Sequence, residues 1–176
     1  MSPIYCDNRL LLSDVEGRGE IVRGLTELFQ AEGVQQVAGV ATAGIAWGGW
    51  VADRLNLPFL YVRNAPKDHG KKNLIEGKVD PTLRTGIVED LVSTGGSVLT
   101  AARELKKLKV PLVGAFAIFS YGFDEATKGF SDLGVSIHAL VGLDDLLAEA
   151  EEQGRITTAQ ARKVCEWRAN PRTISC

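Results

Sequence analysis

Residues 86–108 confine this chain to one kind of architecture. The apolar run Gly86-Ile87-Val88 reads as a buried strand that meets two adjacent carboxylates, Glu89 and Asp90. Leu91 and Val92 follow, then the small-residue loop Ser93-Thr94-Gly95-Gly96-Ser97, then a helix-like run from Val98 to Leu108. A strand that turns through small residues into a helix is half of a parallel crossover unit. The same order recurs upstream: a short apolar strand over Gln36–Val40, the turn Thr42-Ala43-Gly44, and a helix over Ile45–Leu55. Ile21, Val22, Leu25, Leu28 and Phe29 recur at helical spacing within a helix over Val15–Ala31. Further strands are expected at Pro58–Val62, Leu112–Phe119 and Val135–Leu140, the strand with the acidic pair covers 86–90, and an extended segment is expected at Ile4–Leu12. Helices are expected at Asp124–Leu133, at Leu143–Gln153 and from Thr157 to about Trp167. The expectation is one α/β domain over residues 1–176, with a central, mainly parallel sheet flanked by helices.

Composition removes several classes of function. A net charge of −2 leaves no electrostatic footprint for nucleic acid or an anionic membrane surface. No apolar run approaches the length that spans a bilayer, and the first residues lack the apolar core of a signal peptide. Three widely spaced cysteines, Cys6, Cys165 and Cys176, fit neither a disulfide framework nor a zinc site. A reducing cytoplasm fits them best. Two histidines without an H-E-x-x-H pattern argue against a structural transition metal.

The chemistry concentrates where strands end. In the segment 89–97, a Ser/Thr/Gly loop at a helix start offers backbone N–H groups and the positive end of a helix dipole, which suits phosphate. The carboxylates before it suit the vicinal hydroxyls of a ribose, since ionised carboxylates only accept. The segment is not a Walker A loop, because no lysine follows the glycines, and there is no G-x-G-x-x-G. The turn at 39–45, Gly-Val-Ala-Thr-Ala-Gly-Ile, admits a second phosphate or simply close packing of helix on sheet. Residues 63–77 form a long polar loop with Arg63, Lys67, His69, Lys71 and Lys72. Long polar loops in compact domains often act as lids, and these cations suit a departing pyrophosphate. A lysine-rich stretch is as often a merely solvated loop.

Together these loops resemble the type I phosphoribosyltransferases, and within them the orotate phosphoribosyltransferases. VEDLVSTGGS is similar to that family's phosphoribosyl pyrophosphate (PRPP) motif. YVRNAPKDHGKKNLIEG resembles its flexible catalytic loop and GVATAGI its pyrophosphate loop. SPIYCDNR resembles its near-N-terminal strand, and EWRANP its closing helix. The resemblance implies the type I fold and a glycosyltransferase of pyrimidine biosynthesis that makes orotidine 5′-phosphate from orotate and PRPP. It implies that Glu89 and Asp90 hold the ribose hydroxyls and that Leu91, Val92, Ser93, Thr94, Gly95, Gly96 and Ser97 wrap the 5-phosphate. Thr42, Ala43 and Gly44 bind PRPP, and Ser93 also meets orotate. Arg63, Lys67 and His69 close over the pyrophosphate as catalytic groups together with Asp90. Magnesium is held mainly by substrate and water, with no protein metal site. A homodimer with loop 63–77 acting in trans is implied. The family carries a further lysine where Asn64, Ala65 and Pro66 stand, and a helix and part of the hood before the SPIY strand; a weaker pyrophosphate clamp and altered base binding are the expectations. Two other readings share the central motif: transfer to another base, with Tyr121-Gly122-Phe123 placed to stack on it, and a PRPP-sensing module without turnover.

Overall fold

The computed structural model describes residues 5–65 and 74–171. Among them, one sheet holds β1 (Gln36–Val40), β2 (Phe59–Val62), β3 (Ile75–Glu76), β4 (Thr85–Val92), β5 (Leu112–Ser120) and β6 (Ser136–Gly142). The strand order is β3-β2-β1-β4-β5-β6, and every pairing is parallel except β2 with β3. The helices are α1 (Val15–Ala31), α2 (Ala43–Leu55), α3 (Gly96–Lys107), α4 (Asp124–Leu133), α5 (Leu143–Glu152) and α6 (Thr158–Ala169).

The alternation of side chains along the strands divides the core. Val37, Val88 and Phe116 pack with Phe29 of α1 and Trp47 and Val51 of α2. The intervening Ala38, Val40, Ile87, Ala115 and Ala117 pack with Val98 and Leu105 of α3 and Phe130 of α4. Helices therefore cover both faces, as a buried parallel sheet requires. A third cluster joins the end of β5 to α5 and α6 through Phe119, Tyr121, Leu143, Leu147 and Trp167.

From β1 the chain crosses through α2 to β2, whereas the other neighbour of β1 is β4. Such a reversal opens a crevice at the carboxyl ends of the two strands, where ligands bind on sheets of this kind.

The elements depart from the sequence expectation in three places. Asn8–Leu12 is a short 3-10 turn, not extended chain. Asp7 accepts the Arg9 N–H through its side chain (3.2 Å) and the Leu10 N–H through its carbonyl (3.3 Å), so local bonds replace strand pairing. β4 runs two residues past the strand expected over 86–90, because Leu91 and Val92 pair with Phe119 and Ser120 of β5. β3 is a two-residue antiparallel strand within the segment expected to be loop.

Candidate functional site

A cavity of about 370 Å³ lies at the crevice between β1 and β4. Four pieces of chain line it: Tyr5–Arg9, the α2 start at Ala41–Ala43, Asn64 beyond β2, and Glu89, Asp90, Leu91, Ser93 and Ser97 around the end of β4.

Glycine makes the approach of α2 possible. A Cβ on Gly44 would stand 2.4 Å from the Val88 carbonyl oxygen, and one on Gly39 would stand 2.7 Å from the Gly44 oxygen. Both glycines thus serve close packing, and Gly44 itself does not line the cavity. Packing also sets the position of α2: Trp47 and Val51 are almost wholly buried. Each such side chain contributes roughly 1.5–3 kcal/mol, more than the ~1 kcal/mol of a typical N-cap. The helix can therefore keep its place without a cap, and it does: Thr42 makes no side-chain cap bond. At α3 the N-cap is Gly95, at φ +80°, with no side chain to offer. Two helix starts at one crevice leave N–H groups open, an arrangement that attracts anions.

The acidic pair divides into two different groups. Glu89 is 7% exposed, and burial, reinforced by the charge of Asp90, pushes its carboxyl up to about 9. The Asp90 N–H bonds to Glu89 Oε1 at 3.1 Å, and the charge of Arg9 also opposes the rise. Glu89 is therefore neutral near pH 7 and able to donate, which corrects the reading of both carboxylates as ionised acceptors. Asp90 is half-buried.

A side-chain tether holds the N-terminal segment against β4. Asn8 is 5% exposed and donates through Nδ2 to the Asp90 carbonyl oxygen (2.8 Å). Its Oδ1 accepts from Cys6 Sγ (3.2 Å). On the opposite side, Asn64 Nδ2 donates to the Ala41 carbonyl oxygen (2.8 Å), fastening the chain after β2 to the α2 start.

The expected site residues divide accordingly. Thr42, Ala43, Glu89, Asp90, Leu91, Ser93 and Ser97 share the cavity. Val92 turns its side chain into the core, and Thr94, Gly95 and Gly96 form the turn and helix start behind the lining. Arg63 does not line the cavity; its Nη1 lies 3.8 Å from Glu76 Oε1. Lys67 and His69, with Lys71 and Lys72, lie outside the described residues. Tyr121 and Phe123, considered for base stacking, are buried against each other and Trp167. Tyr5, Cys6, Asp7, Asn8, Arg9 and Asn64 line the cavity, although the sequence assigns none of them a role in the site. Only the resemblance of the SPIYCDNR stretch pointed toward five of them. Among the described residues, no group of three or more His, Cys, Asp or Glu side chains is placed to hold a metal.

No family model matches the chain. Individual proteins do. An orotate phosphoribosyltransferase of Cytophaga hutchinsonii is 45% identical over 172 residues, covering 97% of this chain and 82% of that protein. One from Cutibacterium acnes is 44% identical over 176 residues, covering 99% and 82%. The crystal structure of orotate phosphoribosyltransferase from Aeropyrum pernix superposes with a TM-score of 0.77 at 27% identity, covering 88% of this chain and 86% of that one.

Proposed function

The chain belongs to the orotate phosphoribosyltransferase family, and on that premise we infer that it transfers ribose 5-phosphate from PRPP to orotate, releasing pyrophosphate and orotidine 5′-phosphate. This is a pentosyl transfer of pyrimidine nucleotide biosynthesis. The observation that carries the reading is the pair of uncapped helix starts flanking the carboxyl groups in one cavity. The identity of the relatives favours orotate over another base and over a sensing module.

The ribose sits over the end of β4, where Asp90 accepts a hydroxyl and neutral Glu89 has a proton to give. Ser93, Ser97 and the start of α3 take the 5-phosphate, with the loop Thr94–Gly96 supplying backbone donors. The start of α2, at Thr42 and Ala43, takes the pyrophosphate. Displacement at the anomeric carbon puts the entering base opposite the leaving pyrophosphate. Pyrophosphate on the β1 side leaves the base on the other side of the ribose, toward Tyr5–Arg9. The protein's work is orientation and stabilisation of the departing charge, through groups fixed before reaction. Lys67, His69 and Arg63 add cations to that task when the loop closes, and closure keeps water from the activated sugar.

Magnesium fits this donor set. The carboxyl group of Asp90 on β4 supplies oxygens of the kind that suit a hard cation that keeps its waters and relies on substrate oxygens. When bound it neutralises phosphate charge. We further propose a cytoplasmic homodimer in which loop 63–77 serves the neighbouring site. Among the described residues, no helix is long and apolar enough to cross a membrane.

The test is magnesium-dependent pyrophosphate release with orotate, uracil, adenine and hypoxanthine. Turnover with orotate is expected. Turnover with adenine and none with orotate would overturn the assignment.

A further inference from the structure

We propose that Arg9 selects the base: its guanidinium takes the carboxylate of orotate, and Asn8 is the positioning residue that aims it. The proposal rests on the orotate reading above and deepens it.

Orotate is uracil bearing a carboxylate, so its site must accept an additional negative charge. The cavity wall already carries Asp7 and Asp90, beside the neutral Glu89. Arg9 is the one cation among the described residues that line it. It lies in Tyr5–Arg9, the piece of wall left for the base once the phosphates occupy the two helix starts. Arg9 forms an ion pair with no carboxylate among the described residues, so its fork is open to a ligand. A guanidinium presents parallel donors that match a carboxylate in the plane of a flat base, which an ammonium does not.

The backbone around Arg9 is held on three sides. Its backbone N–H donates to Asp7 Oδ1 at 3.2 Å. Asn8 ties the turn to the carbonyl oxygen of Asp90, so the base end and the ribose end move as one unit. Cys6 holds the Asn8 amide in the orientation that makes this bond. The competing aromatic wall at the end of β5 is unavailable, since Tyr121 is packed edge-on against Phe119 and Trp167.

Orotidine 5′-phosphate and uridine 5′-phosphate differ only in the base carboxylate, so their affinities isolate it. Titration calorimetry on the full chain should show the wild type binding the former more tightly. Arg9→Gln should weaken orotidine 5′-phosphate by about 10–100-fold, the range for hydrogen bonds to charged groups, and leave uridine 5′-phosphate within about 2-fold on the same grounds. Arg9→Lys should fall between. Asn8→Ala should narrow the preference between the two nucleotides, whereas a merely structural role would weaken both alike. An Arg9→Gln variant that keeps the wild-type preference, or loses both ligands equally, overturns the proposal. If that happens while the wild type still turns over orotate, only this inference falls; if the wild type uses adenine and not orotate, the parent reading falls and this one with it.

Discussion

Helices in this molecule begin in two ways. α1 starts at Asp14, whose carboxylate accepts from the Glu16 and Gly17 N–H groups at 3.2 Å each. α6 starts with a reciprocal box between Thr157 and Gln160. Neither start touches the cavity. α2 and α3 start at the carboxyl edge of the sheet with no side-chain cap. Each forgoes ~1 kcal/mol of capping, and the burial of Trp47, Val51 and Leu105 offsets it. The lesson is that a missing cap marks a binding surface only where small residues leave room. α4 and α5 also lack an N-cap side-chain bond, but the N-cap of α4 is Phe123, buried in the aromatic cluster, and at α5 the Gly142 N–H is taken by Asp145 Oδ2 (2.9 Å).

The contrast can be tested at single residues. The largest effect is expected at Glu89, whose folded carboxyl titrates near 9 against an ordinary 4.5. Between those values the unfolded chain is ionised while the folded protein keeps its proton. Stability is therefore fully present below about 4.5 and is lost as pH rises toward 9, by about 1.4 kcal/mol per pH unit. Urea unfolding at a series of pH values should show Glu89→Gln removing that slope, roughly 4 kcal/mol over three units. Equal slopes in variant and wild type would mean that Glu89 is ionised in the fold.

Asp90→Asn should weaken PRPP binding by about 1–3 kcal/mol, because an acceptor becomes an amide that can present a donor. An unchanged Michaelis constant together with unchanged turnover would remove Asp90 from the sugar site. Thr42→Asp converts the open α2 start into an acidic one. It should stabilise the free protein by ~0.5 kcal/mol through the helix dipole and raise the Michaelis constant for PRPP at least about 10-fold by repelling the same anion. Improved stability with unaltered kinetics would show that pyrophosphate binds elsewhere. Thr157→Ala, at a capped start, should lose ~1 kcal/mol in thermal or urea unfolding and leave kcat and KM as they were. A kinetic defect there would erase the distinction between the two kinds of start.

Much of this was readable in the chain. The apolar spacing of α1 and the strand-turn-helix grammar at 36–55 and 86–108 depend on nearest neighbours, and both appear where they were expected. The turn at Asn8–Leu12 is closed locally by Asp7, but its place against the sheet was not readable, because that rests on a bond between Asn8 and a residue 82 positions away. The unequal fates of Glu89 and Asp90 were hidden for a related reason. Adjacent residues on a strand face opposite ways, so Glu89 shares the side of Ile87 and Asp90 that of Val88, and which of them is covered at the strand end is decided by parts of the chain distant in sequence. The packing roles of Gly39 and Gly44 look, in sequence, the same as a phosphate loop; only the distance to facing backbone separates them. Antiparallel β3 carries two residues, too few for any periodic signal.

The central claim is that the open helix starts, and not the capped ones, receive the phosphates. Backbone amide resonances followed during titration with PRPP test it directly. Large shifts are expected for amides at 42–45 and 93–98 and none at 15–18 or 158–161. Shifts at the capped starts, or silence at both open ones while PRPP binds, would contradict it.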